Sequence, residues 1–185
     1  MRHWLALVIL LTLAGCGRDP FHMTDISGAM PRLDFLLTRA GDGRQVTGES
    51  YRGDVVALYF GYTNCPDICP ATLANLAAMV NKAGSPKVKV LFVTVDPDRD
   101  TLPMLARYVR AFSPQFDGLR GTDNDLADLA RRYRVAYSVN PGPPYSVMHS
   151  GAVFFFDRAG RARLVTTDTT NPDAMAQDVK KLLRQ

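Results

Sequence analysis

The sequence predicts an α/β fold, a central mixed sheet flanked by helices with a β-hairpin at its N-terminal end. Three observations carry this. Val55-Val56-Ala57-Leu58-Tyr59-Phe60 is a nearly continuous apolar run, as expected of a strand buried on both faces. A second buried strand reads over 88–95, and the segment between them repeats apolar residues at helical spacing, so a helical crossover joins two parallel strands. Near the C-terminus, Val153-Phe154-Phe155-Phe156 and Arg163-Leu164-Val165 flank turn residues 157–160 and add an antiparallel pair.

Taken in chain order, residues 1–15 read as a secretory signal, with a positive start, an apolar run over 4–14 and small residues at its end. That run is well short of the roughly 20 residues needed to span a bilayer. Leu13-Ala14-Gly15-Cys16 resembles a bacterial lipobox, which makes Cys16 the expected lipidation site and the protein a membrane-anchored lipoprotein, with its domain in the periplasm or another extracytoplasmic space. Residues 16–31 are polar and punctuated by glycine and proline, and read as a lipidated tether. Residues 32–185 suit one domain with a single core.

Within that domain, Leu33-Asp34-Phe35-Leu36-Leu37 and Gln45-Val46-Thr47 flank Gly41-Asp42-Gly43, the expected N-terminal hairpin. A helix over 71–82 places Leu73, Leu76, Ala77 and Val80 on one face and stops at Gly84 and Pro86. A helix over 102–112 follows, capped by Asp100 or Thr101, with Asp100 the preferred cap and Pro103 tolerated in the first turn. A helix over 123–133, a short strand over 135–139 and a closing helix over 172–183 complete the list. Lys and Arg are scattered through a chain of net charge +4, without the basic run that marks a nucleic-acid partner.

The chemistry concentrates in Cys65-Pro66-Asp67-Ile68-Cys69-Pro70, two thiols four residues apart where a strand turns into a helix. A dithiol at that place completes a thioredoxin-like pattern, although the two-residue spacing of thioredoxin-type oxidoreductases is absent. The helix N-terminus favours thiolate, which is both nucleophile and metal ligand. With Cys16 assigned to lipid, Cys65 and Cys69 remain as an isolated pair in an oxidising compartment, which implies a reductant, a bound metal or both. His149 precedes the apolar strand over 152–156; if that strand lies beside the one leading to Cys65, the histidine faces the dithiol. Two sulfurs and an imidazole suit copper first, with zinc accepting the same donors plus a fourth ligand. Asp67 and Met148 are weak fourth candidates. The alternation Asp96, Asp98, Asp100 reads as a strand end and helix cap rather than a metal site.

Phe60-Gly61-Tyr62-Thr63-Asn64-Cys65-Pro66-Asp67-Ile68-Cys69-Pro70, Val93-Thr94-Val95-Asp96-Pro97-Asp98-Arg99-Asp100-Thr101 and Tyr145-Ser146-Val147-Met148-His149-Ser150 resemble, in order and over most of the domain, the signature segments of the SCO/SenC family. The resemblance implies a thioredoxin-like, membrane-anchored, copper-binding protein that assists assembly of the dinuclear copper centre of cytochrome c oxidase. Cys65, Cys69 and His149 match that family's copper ligands position by position. The implied partner is the copper-centre subunit of the oxidase, with another copper chaperone or a thioredoxin-like reductant upstream. Two departures stand out: Met148 where the family commonly has Asp, and Asn64 where it often has His. They bear on copper affinity or partner choice and leave the ligand set intact.

Two functions follow. The first is a metallochaperone rather than an enzyme, carrying copper on Cys65, Cys69 and His149. The second is a thiol–disulfide reductase in which Cys65 attacks a target disulfide and Cys69 resolves the mixed disulfide, keeping the oxidase cysteines or other exported thiols reduced. A thiol peroxidase is disfavoured, because Tyr62 and Pro66 stand where its Thr or Ser belongs.

Overall fold

The computed structural model describes residues 20–185. The signal expected over 1–15 and the lipidation site Cys16 lie outside them. Ten strands and four α-helices follow one another as β1 (Thr24–Asp25), β2 (Leu36–Arg39), β3 (Gln45–Thr47), β4 (Val55–Gly61), α1 (Ile68–Ala83), β5 (Val88–Thr94), α2 (Leu102–Arg110), β6 (Phe116–Arg120), α3 (Asp123–Arg132), β7 (Tyr137–Asn140), β8 (Ser146–His149), β9 (Val153–Phe156), β10 (Ala162–Thr166) and α4 (Pro172–Leu183). Eight strands form one sheet in the order β1-β10-β9-β4-β5-β6-β2-β3, and β7 and β8 pair as a separate ribbon. Strands β4, β5 and β6 run parallel; β9, β10 and the β2–β3 hairpin join antiparallel. This is the expected mixed sheet in a thioredoxin-like arrangement, with the dithiol at the β4–α1 turn.

Alternation along the central strands divides the interior into two layers. Val55, Ala57 and Tyr59 of β4, with Val88, Val90 and Phe92 of β5, pack beneath Leu73, Leu76 and Val80 of α1, Leu105 of α2 and Val179 of α4. Val56, Leu58 and Phe60, with Leu91 and Val93, face Leu126 and Leu129 of α3 and the aromatic pair Tyr133–Phe156. A strand covered on both sides has no polar face, which is why 55–60 is apolar throughout. Burying each large side chain contributes about 1.5–3 kcal/mol. Gly84, at φ 67°, closes α1 with its N–H on the Val80 carbonyl, a left-handed cap that favours glycine.

Several expectations are corrected. The tether expected to run to residue 31 is not one over 20–31. Met23 is buried, β1 pairs with β10, and the His22 and Met23 amides donate to the buried Asp178 carboxylate at 2.7 and 2.8 Å. The cap of α2 is Thr101, whose hydroxyl accepts from Met104 N; Asp100 turns inward instead. Strand β6 was not expected, since Phe116-Asp117-Gly118-Leu119-Arg120 carries neither an apolar run nor a clean alternation. Its Gly118 is required by packing, because a Cβ there would lie 2.6 Å from Leu105 Cγ. The strand expected over 135–139 is the shorter β7, and it pairs with β8, for which no strand was expected. Among the described residues, no helix is long and apolar enough to cross a membrane.

Candidate metal centre

The site lies at the C-terminal edge of β4, where the chain leaves the sheet and re-enters as α1. Helix N-termini expose unpaired amides. Here Asp67, at the N-cap position, makes no side-chain cap, and the Cys69 N–H donates to Cys65 Sγ at 3.3 Å. The sulfur thus takes the place of a capping oxygen. Burial alone would raise the Cys65 thiol pKa, but hydrogen bonds from the Cys69 amide and side chain, with others from Asp67 N–H and Tyr62, hold it below the ordinary thiol value. Cys69, fully buried, is pushed up to about 12, chiefly by desolvation. The two thiols are chemically unequal: an accessible one inclined to ionise, and a buried one held as the thiol.

His149 arrives from β8. Strand β9, which follows it, pairs with β4, so the segment before β9 is delivered to the edge where the dithiol sits. His149 Nε2 lies 3.3 Å from Cys69 Sγ, and Nδ1 lies 3.1 Å from the Ser150 carbonyl oxygen. A carbonyl only accepts, so this geometry puts the proton on Nδ1 and leaves the Nε2 lone pair facing the sulfurs. Desolvation lowers the His149 pKa, which keeps the ring neutral and able to ligate. Tyr59 and Tyr62 stand edge-on to the imidazole at 6.0 and 5.9 Å.

Cys65 Sγ, Cys69 Sγ and a His149 ring nitrogen lie within 4.8 Å of one another. Ligands bonded to one ion at about 2.0–2.3 Å stand roughly 3.5–4 Å apart, so the three donors fit a single soft ion with only small side-chain adjustment. Asp67 is exposed and outside this cluster. Met148, 71 % exposed, and Ile68, 62 % exposed, rim the mouth beside Cys65. Asp96 and Asp100 are buried and hydrogen-bonded to protein groups rather than gathered round an ion.

Sequence reasoning missed the supporting groups. Asp100 accepts from Thr63 N at 3.0 Å, Thr63 Oγ1 at 2.5 Å and Thr94 Oγ1 at 2.6 Å, which ties the Cys65 loop to the end of β5. Thr63 and Thr94 lie 37 and 6 residues before Asp100, a spacing with no local signal, whereas Asp100 beside Thr101 reads as a helix cap. Gly61 is required by the site: a Cβ would meet Phe92 Cε2 at 2.5 Å and Cys69 Sγ at 3.0 Å. The Ser150 carbonyl has no sequence signal at all.

A family model described as SCO1/SenC matches residues 27–184. The mitochondrial SCO2 homologue of Homo sapiens is 36 % identical over 168 residues, covering 83 % of this chain and 57 % of that protein. The chain spans about half the length of the curated relatives it matches. Among solved structures, Arabidopsis thaliana ScoI with copper bound superposes with a TM-score of 0.76 at 34 % identity, covering 83 % of this chain and 98 % of that one. Apo Sco1 from Thermus thermophilus gives 0.77 at 32 % identity, covering 88 % and 97 %. With the dithiol, the histidine and the thioredoxin-like sheet in the arrangement described above, the chain belongs to the SCO1/SenC family.

Proposed function

We propose that the protein is an exported copper metallochaperone. Cys65 and Cys69 hold Cu(I) as thiolates and His149 Nε2 completes the site. The ion then passes by ligand exchange to the copper-centre subunit of cytochrome c oxidase. One observation carries the reading: two sulfurs and an imidazole converge within 4.8 Å beneath an open mouth. Soft sulfur stabilises Cu(I), and the added nitrogen accommodates Cu(II). Structural zinc takes four ligands, and among the described His, Cys, Asp and Glu side chains this cluster offers three. The copper in the Arabidopsis relative supports the same choice. Transfer needs a donor that an incoming ligand can displace, and Cys65 is the accessible one, with Ile68 and Met148 giving a partner an apolar edge to cover. Cleavage before a lipidated Cys16 would hold the domain at a membrane surface outside the cytoplasm.

The inequality of the thiols favours a second reading, a thiol–disulfide reductase. Cys65 thiolate attacks a target disulfide and releases one target thiolate; that thiolate takes the Cys69 proton, and Cys69 Sγ attacks Cys65 Sγ and releases the other target sulfur as thiolate. The dithiol gives up two electrons and ends as the Cys65–Cys69 disulfide.

One titration separates them. Reduced protein is expected to bind Cu(I) against a competing chelator. With Cu(II) it should develop sulfur-to-copper charge-transfer absorption, which His149→Ala weakens strongly. A chain that binds neither ion, yet reduces a disulfide with His149→Ala and fails with Cys65→Ser, would establish the reductase instead.

A further inference from the structure

We propose that Tyr145 is a positioning residue for His149, acting through a latch with Asp96 and Arg99 that holds the β7–β8 ribbon against the turn after β5. The ribbon carries the histidine but is not part of the main sheet. Its strands are largely exposed, in contrast to the fully buried β4 and β9. Tyr137 and Val147 lean on the interior from its two strands. Among the described residues, and apart from His149 Nδ1 on the adjoining Ser150 carbonyl, two hydrogen bonds leave the ribbon 137–149: His149 to Cys69 and Tyr145 to Asp96. The first belongs to the ligand set. The second is what remains to fix the start of β8 when the ligands exchange.

The latch is built with care. Tyr145 Oη donates to Asp96 Oδ1 at 2.7 Å, and Asp96 is only 1 % exposed. Arg99 Nε donates to the other oxygen, Oδ2, at 2.5 Å, and the guanidinium carbon lies 3.6 Å from the centre of the Tyr145 ring. The buried carboxylate is thus paired, and the phenol is held both at its hydroxyl and across its face. Asp96 N–H donates to Thr94 Oγ1, and the same threonine donates to Asp100, whose carboxylate holds Thr63 two residues before Cys65. One turn, 94–100, therefore anchors the segment bearing the dithiol and the segment bearing the imidazole. Motions of the ribbon relative to this turn change the distance between Nε2 and the sulfurs. A fixed turn keeps all three donors in register, as outer groups around a metal site do.

The inference rests on the copper reading of Cys65, Cys69 and His149. It is tested with the reduced full chain in detergent, as wild type, Tyr145→Phe and Arg99→Lys, each with and without His149→Ala. In metal-free Tyr145→Phe, amides of 146–149 are expected to exchange with solvent about tenfold faster, with β4 and β5 unchanged. The Cu(II) dissociation constant is expected to rise about tenfold, and the rise should vanish in the His149→Ala background. Arg99→Lys keeps the charge but loses the planar stack, and should fall between wild type and Tyr145→Phe. Unchanged exchange, or an unchanged Cu(II) constant, overturns the proposal. So does an equal loss with and without His149, which would mean that Tyr145 acts on the fold or the thiols. A wild-type chain that binds neither Cu(I) nor Cu(II) overturns the copper reading, and this inference with it; a wild-type chain that binds Cu(I) alone, or that binds Cu(II) no more tightly than Tyr145→Phe, overturns this inference alone.

Discussion

At Gly61 the backbone leaves β4 with Phe92 on one side and Cys69 Sγ on the other, and any side chain there would displace one of them. Gly61→Ala is expected to leave a folded protein, at a cost of about 1–3 kcal/mol from overpacking. Because the sulfur moves, copper affinity should fall more than this general destabilisation accounts for. Urea unfolding and copper competition on the same preparation check this; a variant that loses stability but keeps its copper affinity would mean that Phe92 alone yields. The three converging donors were legible, two by spacing and the third by its position before an apolar strand. What tunes them was not, because the partner of His149 Nδ1 is a main-chain carbonyl. That carbonyl orients the imidazole beside Met148 without help from a carboxylate at 148. Met148 leaves the mouth apolar where an aspartate would have made it acidic.

Among the elements, the β9–β10 turn depends on one carboxylate. Asp157, 2 % exposed, accepts from Ala159 N at 3.0 Å, Arg161 N at 2.9 Å and Arg161 Nε at 2.8 Å. Burial would raise its pKa, but the Arg161 amide and guanidinium outweigh that and hold it below the usual carboxylate range. The folded pKa is depressed, so the stabilisation is complete above the unfolded value of about 3.9 and is lost as pH falls through the folded one. Asp157→Asn is expected to cost about 1–3 kcal/mol at neutral pH, with the gap to wild type closing below about pH 4. Denaturation curves across that range test it; a gap that widens on acidification would contradict the assignment. Elements with one strong signal were legible: β4 from its apolar run, α1 from its apolar spacing and its stop at Gly84. Strand β8 was not, because Ser146-Val147-Met148-His149 forms an exposed ribbon whose pattern is set by the site. Asp100 is the preferred cap of α2 by sequence, but the buried Thr63–Thr94 pocket draws it inward and leaves the cap to Thr101.

For the whole molecule, the sheet order does the assembling. Strand β4 lies between β5 and β9, so its C-terminal edge receives the dithiol from its own turn, the anchoring turn from β5 and the histidine from the chain entering β9. Three segments distant in sequence meet there because two parallel strands end, and one antiparallel strand begins, on the same side. Residues 20–31 lie along the far edge of the sheet, pinned by Asp178, so a link to a membrane would begin before residue 20 rather than after residue 31. X-ray absorption at the copper edge of the Cu(II)-loaded protein tests the central assignment most directly. Two sulfur scatterers and one imidazole nitrogen are expected, with the imidazole contribution disappearing in His149→Ala while both sulfurs remain. A first shell of oxygen and nitrogen without sulfur, or one unchanged by His149→Ala, would contradict it.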